Sequence, residues 1–160
     1  MISTSKLRTY NLLKTELSFE SYLREIQDWH ARRDFTRLRC ASNELRVEMG
    51  RREGEDANQR FCLLCLNGQI ENEEHFLLDC YLLEVLRRNL FREVYNRTGG
   101  TYQLGMMRIH ERIELVKTLI GNAVRIPGDR MVIHKAASVF ISKALKFRRK
   151  LLSRSEADSD

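Results

Sequence analysis

Residues 60–80, RFCLLCLNGQIENEEHFLLDC, decide how this chain is read. They carry Cys62, Cys65, His75 and Cys80 in the pattern C-x2-C-x9-H-x4-C. Two thiols separated by two residues can grip one ion from a tight turn, and the His and last Cys close the shell from the segment that follows. Zinc takes thiolates and imidazole in a tetrahedral arrangement, and four protein ligands make a structural site with no open position for chemistry. Three of the four cysteines and one of the four histidines fall within these residues, a concentration that scattered core residues would not produce. The spacing therefore predicts one structural zinc ion.

Outward from this knuckle the sequence predicts a mainly α protein: a helical domain with a small zinc-stapled knuckle and at most one short hairpin. Residues 1–50 read as N-terminal helices and a short strand, 51–80 as the knuckle, 81–152 as a C-terminal helical segment and 153–160 as a disordered polar tail. Phe19, Tyr22, Leu23 and Ile26 recur at helical spacing after Ser18, so 19–27 reads as a short amphipathic helix. Asp28 can cap the next helix, with Trp29, Phe35 and Leu38 inside and Arg32, Arg33, Arg37 and Arg39 around the rest. Leu45, Val47 and Met49 alternate with Glu44, Arg46 and Glu48, the pattern of a half-buried strand ending at Gly50. Residues 51–60 read as a loop, and Asn72 can cap a helical turn that presents His75.

Beyond Cys80 the periods are helical. Leu83, Leu86, Leu90 and Val94 stripe a helix over 81–97, which Gly99-Gly100 ends. Met106, Ile109, Ile113, Val116 and Ile120 predict a second, and Ile133, Ala137, Phe140, Ala144, Phe147 and Leu151 predict a long final helix that Asp129 can cap.

The net charge is +6, and its placement says more than its size. Residues 61–80 hold no Lys or Arg and four acids, Glu71, Glu73, Glu74 and Asp79, whereas 81–128 and 129–160 are each +4. A metal knuckle that grips phosphate needs bases of its own. This one has none, so nucleic acid is expected to meet the flanking helices. The candidates are Arg37, Arg39, Arg87, Arg88 and the run Lys146, Arg148, Arg149 and Lys150. Residues 1–14 lack the apolar core of a secretory signal, which points to an intracellular protein of nucleus or cytoplasm with reduced cysteines.

The strings KLRTYNLLK (6–14), FESYL (19–23), TRLRCASNELRVEMGRR (36–52), RFCLLC (60–65) and ENEEHFLLDC (71–80) together resemble the C-terminal tail that follows the polymerase in non-LTR (LINE-type) retrotransposon reverse transcriptases. The resemblance is densest over 6–95. It departs from the family at Tyr81, where Pro is common, and at Asn43, where a His is common. It implies a zinc-binding accessory that handles RNA or DNA, with metal at Cys62, Cys65, His75 and Cys80 and a reverse transcriptase core as a further partner. Nothing catalytic is implied: no Tyr-x-Asp-Asp-like string occurs, and Pro127-Gly128-Asp129 with Lys135 is better read as a helix start than as a nuclease site. The alternative is a helical protein-interaction domain, a remnant that once docked on the polymerase, with a purely structural zinc. Cys40, His30, His110 and His134 stand alone in the sequence and read as ordinary surface or core residues.

Overall fold

The apolar stripe of the final helix organises the protein. In a computed structural model, which describes residues 8–14 and 16–157, the last helix, α8 (Pro127–Ala157), runs for 31 residues or about 46 Å. The start of the KLRTYNLLK string and Asp158 to Asp160 lie outside the described residues. Ile133, Ala137, Phe140 and Ala144 on α8 are buried, as the spacing requires, and Phe147 and Leu151 are half-buried. Against this helix pack α2 (Tyr22–Glu25), α3 (Trp29–Arg39), α5 (Glu84–Arg97) and α7 (Arg112–Ile120), with α3 and α5 making the most extensive contacts. Phe35 of α3 lies 5.2 Å from the His134 ring and Phe76 lies 5.9 Å from Phe140, so both sides of α8 share one core. The remaining helices are α1 (Arg8–Leu13), α4 (Arg46–Glu53) and α6 (Leu104–His110). The protein is mainly α, and among the described residues the only β-type pairing is one antiparallel bridge, Phe61 to Ile70.

Several local expectations hold. The Asp28 carboxylate accepts from the Ala31 N–H at 2.6 Å and caps α3. Asn72 Oδ1 accepts from His75 N–H at 2.8 Å and starts the turn that carries the ligand. Gly99 and Gly100, both with positive φ, end α5, and the Gly100 N–H closes on Tyr95 C=O. Pro127 at the first position of α8 makes Asp129 a first-turn acid that favours the helix dipole, in place of the cap expected of it.

Others do not hold, each for a tertiary reason. Residues 44–50 form no strand: α4 begins at Arg46 and ends at Gly54, whose φ of 77° makes the left-handed stop. Its first N–H groups, on Arg46 and Val47, are taken by the Glu71 carboxylate at 2.8 Å and the Glu71 carbonyl at 3.0 Å. The helix start is therefore supplied from 25 residues away in sequence, and the loop predicted for 51–60 begins only after it. The helix expected over 19–27 is confined to Tyr22–Glu25, because Glu20 is held outside it by Lys14 at 2.7 Å and Arg39 at 2.8 Å. Trp29 is 57% exposed under the Arg33 guanidinium, so it does not anchor the core. The single helix predicted from Met106 to Ile120 breaks at Glu111, where Arg112 turns to pair with Glu74 and Asp79. α8 is helical as far as Ala157, so residues 153–157 do not belong to the disordered tail expected over 153–160.

His134 sits inside this core. Its Nε2–H donates to Gly121 C=O at 2.9 Å, while Nδ1 is buried without a partner among the described residues. Burial lowers its pKa from 6.5 to about 4, opposed by the bond to Gly121. The folded value lies below the unfolded one, so the unfolded chain takes up the proton first. The stability that rests on neutral His134 is complete above pH 6.5 and is lost as pH falls towards 4. An NMR titration of the His134 ring should give a midpoint near 4, and a midpoint at the ordinary value would contradict its burial.

Candidate metal centre

The four predicted ligands converge. One donor atom from each of Cys62, Cys65, His75 and Cys80 lies within 4.8 Å of all the others, and all four side chains are buried. Bond lengths of ~2.3 Å to sulfur and ~2.05 Å to nitrogen give tetrahedral edges of about 3.8 Å between sulfurs and about 3.6 Å between sulfur and nitrogen. The Cys65 Sγ to His75 Nε2 distance, 3.4 Å, is already close to such an edge. The four donors are close enough together to hold a metal ion.

Two short devices bring the ligands together. The first is a hairpin turn. Cys62 N–H donates to Gln69 C=O at 2.8 Å and Glu71 N–H to Arg60 C=O at 3.0 Å, and between them Leu66 and Gly68 take positive φ to reverse the chain. Glycine at 68 supplies that conformation without strain. The second is a π-turn over His75–Asp79, in which Cys80 N–H reaches back to His75 C=O at 2.9 Å. The wider turn swings residue 80 round beneath residue 75, a convergence that an α-helix would not give at a spacing of five.

A second layer orients the donors. His75 Nδ1 lies 2.8 Å from Gln69 Oε1, so the tautomer with Nδ1–H donating to the amide leaves Nε2 free to face the thiols. Cys65 Sγ donates to Asn67 Oδ1 at 3.0 Å. The hydrogen bond between the Cys62 and Cys80 thiols, then burial, pushes the Cys62 proton's pKa up to about 12, while the same bond lowers Cys80. An ion must displace these protons, as in any thiolate site.

Two arginines tie the centre to the helices. Arg148 on α8 makes a paired contact with Glu71, Nε and Nη2 each 2.8 Å from a carboxylate oxygen, with both side chains almost fully buried. Glu71 Oε1 lies 3.8 Å from Cys62 Sγ. When the thiols ionise, Arg148 is thus the charge that offsets Glu71 beside them. Burial alone would lower the Arg148 pKa, but its bonds to Glu71 and the charge of that carboxylate outweigh it and raise the value. Arg87 on α5 is also buried. It donates to Leu77 C=O at 2.7 Å and Cys80 C=O at 3.1 Å, carbonyls at the end of the π-turn, and pairs with Glu84 at 2.6 Å.

Three of the eight expected nucleic-acid contacts are therefore internal. Arg87 and Arg148 hold the metal centre, and Arg39 is buried between Glu20, the Ile120 carbonyl and the Tyr22 ring. Buried guanidiniums present no donors at the surface to phosphate. Arg37, Arg88, Lys146, Arg149 and Lys150 are exposed, with Arg149 paired to Glu44 at 2.9 Å. The acidic island is likewise paired: Glu71 with Arg148 and Glu73 with the Asn43 amide at 3.1 Å in the interior, Glu74 and Asp79 with Arg112 at the partly exposed rim. Cys40 stays half-buried outside the cluster. The residues that sequence reasoning missed are Gln69 and Glu71. Only their place inside the loop between Cys65 and His75 marked them.

No protein-family model, curated protein or solved structure matches this chain.

Replacing Gln69 with Ala should lower metal affinity about 10–100-fold while leaving helix content unchanged, measured by chelator competition and circular dichroism. Arg148→Met, which strands the Glu71 carboxylate in the core, should cost about 3–5 kcal/mol in chemical denaturation. The double variant Glu71→Gln with Arg148→Met should recover part of that loss, because no unpaired charge remains.

Proposed function

We propose that this chain is a zinc-binding accessory module that grips nucleic acid, without catalysis of its own, and that it derives from the tail of a non-LTR retrotransposon reverse transcriptase. Three thiols and an imidazole in a four-donor shell favour zinc over harder ions. The shell is filled by protein, so the ion braces the structure and offers no position for an activated water. Among the described residues no second group of three or more such donors could hold a metal ion. No described helix is long and apolar enough to cross a membrane.

The observation that carries the nucleic-acid reading is the outer face of α8. Lys143, Lys146, Lys150 and Arg154 are exposed at spacings of three, four and four, one stripe about 16 Å long. None of the four has an ion-pair partner among the described residues. Four unpaired cations in a row raise the local potential and release counterions when phosphates replace them. Two of them, Lys146 and Lys150, are readable from the basic run in the sequence; Lys143 and Arg154 extend it. A second reading, docking on a polymerase core, is favoured by Met106, Ile109 and Ile113, which the break between α6 and α7 leaves exposed.

Metal analysis should find one zinc per chain, and Cys65→Ser should abolish it. Binding of 20-nucleotide RNA or DNA single strands, followed by anisotropy, should weaken with salt at a log–log slope near −3, as about four phosphate contacts require. The triple variant Lys143→Glu, Lys146→Glu, Lys150→Glu should weaken binding and flatten that slope. Affinity that ignores salt or survives the triple variant would leave the docking reading in front.

A further inference from the structure

A second exposed stripe runs along α5, and its chemistry differs from that of α8. Val85, Arg88, Arg92 and Tyr95 are spaced three, four and three apart, which places them within an arc of about 80° on the helix surface. Tyr81 leads the stripe from the short turn that joins Cys80 to the helix. All five face solvent: Tyr81 is 59% exposed, Tyr95 50% and Val85 71%, and the Arg88 side chain 76%. The stripe contains no acid. Arg88 has only a 3.5 Å contact with Glu84, which is already engaged by Arg87 and Arg108, and Arg92 bonds to the neutral Asn89.

An exposed stripe at this spacing would ordinarily mark a partner helix. Here the two central positions are arginines, which a coiled-coil seam would have to bury unpaired. Two aromatic rings, one just before α5 and one near its end, with cations between them suit a different ligand. Unstacked bases lie on aromatic faces while phosphates meet the guanidiniums, and a duplex offers no free base faces. Both rings are also held ready. Tyr81 follows a metal ligand directly, and Leu83 N–H closes its turn onto Cys80 C=O at 3.1 Å. Tyr95 lies against Gly100, where an added Cβ would come within 3.2 Å of the ring, so the bare backbone packs on the hydroxyl end of a side chain that is half in solvent.

We propose that the Tyr81–Tyr95 stripe of α5 is a platform for single-stranded nucleic acid, stacking bases on the two tyrosines and drawing phosphates to Arg88 and Arg92. This rests on the nucleic-acid reading above and adds to it the strand form and the residues that recognise it. The α8 bases attract either form, and α5 selects the single strand.

The test uses the full chain loaded with zinc, oligo(dT) and oligo(U) of twenty nucleotides, and a twenty-base-pair duplex. Wild-type protein should bind the single strands more tightly than the duplex. Tyr81→Leu and Tyr95→Leu should each lower single-strand affinity about tenfold, with the salt slope and duplex affinity unchanged. Tyr81→Phe, which keeps the ring, should bind as wild type. Gly100→Ala, which crowds the Tyr95 ring, should weaken single strands alone. Leucine variants that bind single strands normally, or that lose duplex in parallel, would overturn the proposal. So would phenylalanine failing like leucine, or poly-glutamate displacing single strands from wild type but not from Tyr81→Leu, which would mark an acidic protein partner. Failure of the wild type to bind any nucleic acid at low salt would remove the nucleic-acid reading itself, and this refinement with it.

Discussion

One buried ion pair, Glu71 with Arg148, decides how the metal hairpin, α4 and α8 sit together. The partners are 77 residues apart, and each carboxylate oxygen receives a guanidinium nitrogen at 2.8 Å. The same carboxylate takes the Arg46 N–H, and its backbone takes the Val47 N–H, so the start of α4 depends on where Glu71 is held. Its other oxygen stands beside Cys62. A buried pair of this kind adds little net stability over an apolar replacement, since both charges lose their water. What it supplies is exclusivity. Any arrangement that parts the two leaves a charge in the core, so alternative placements of the hairpin on α8 are disfavoured more strongly than the native one is favoured.

The hairpin needs such help because it has little core of its own. Residues 61–70 leave Phe61, Leu63 and Leu66 largely in solvent, and their ordered structure comes from turns and the convergence of the ligands. A metal ion supplies to such a segment what apolar burial supplies elsewhere, as a free energy that is folding free energy. The helical part differs: Phe35, Leu38, Ile133, Ile141 and Leu145 build a continuous core around α8 without the metal. Loss of the ion should therefore act locally first, loosening the hairpin and the turn into α5 before the bundle. Arg87 is the link between the two regimes. It spans from α5 to the carbonyls at the end of the π-turn, so the first turn of α5 and the last ligand move as one unit.

The ligands and the long helices were legible in the sequence because their signals are local. A Cys-x2-Cys with a His and Cys behind it leaves few geometries, and Ile133, Ala137, Phe140 and Ala144 on one face leave only a buried helix. The strand expected at 44–50 shows where locality ends. Alternation over six residues is too short to exclude a helix, and the residue that starts α4 lies in the hairpin. Glu48, which the alternation puts towards water, is fully buried and bonded to Arg51 at 3.0 Å. The split at Glu111 has the same origin, since the carboxylates that draw Arg112 aside belong to residues 74 and 79. Nothing in the run from 106 to 120 records them.

Charge was the least legible property, and the reason lies in which cation each site holds. Arg39, Arg60, Arg87 and Arg148 are buried, and no lysine is among the buried residues described. A guanidinium has five donors in one plane and is weakly hydrated, so a single side chain can satisfy several carbonyls or both oxygens of a carboxylate inside the protein. Arg60 does this at Val47 and Glu55, as Arg87 does at Leu77 and Cys80. An ammonium group is compact and strongly hydrated, and burial would strip more from it than three donors return. Lys143, Lys146 and Lys150 on α8 therefore stay outside, in water. A run such as Lys146 to Lys150 then divides by residue type and helix phase: Arg148 points inward to Glu71, while Lys146 and Lys150 remain on the outer face. The excess of positive charge in the sequence thus divides in two, with buried arginine fixing the cysteine–histidine cluster onto the bundle and exposed lysine forming a basic outer face on α8.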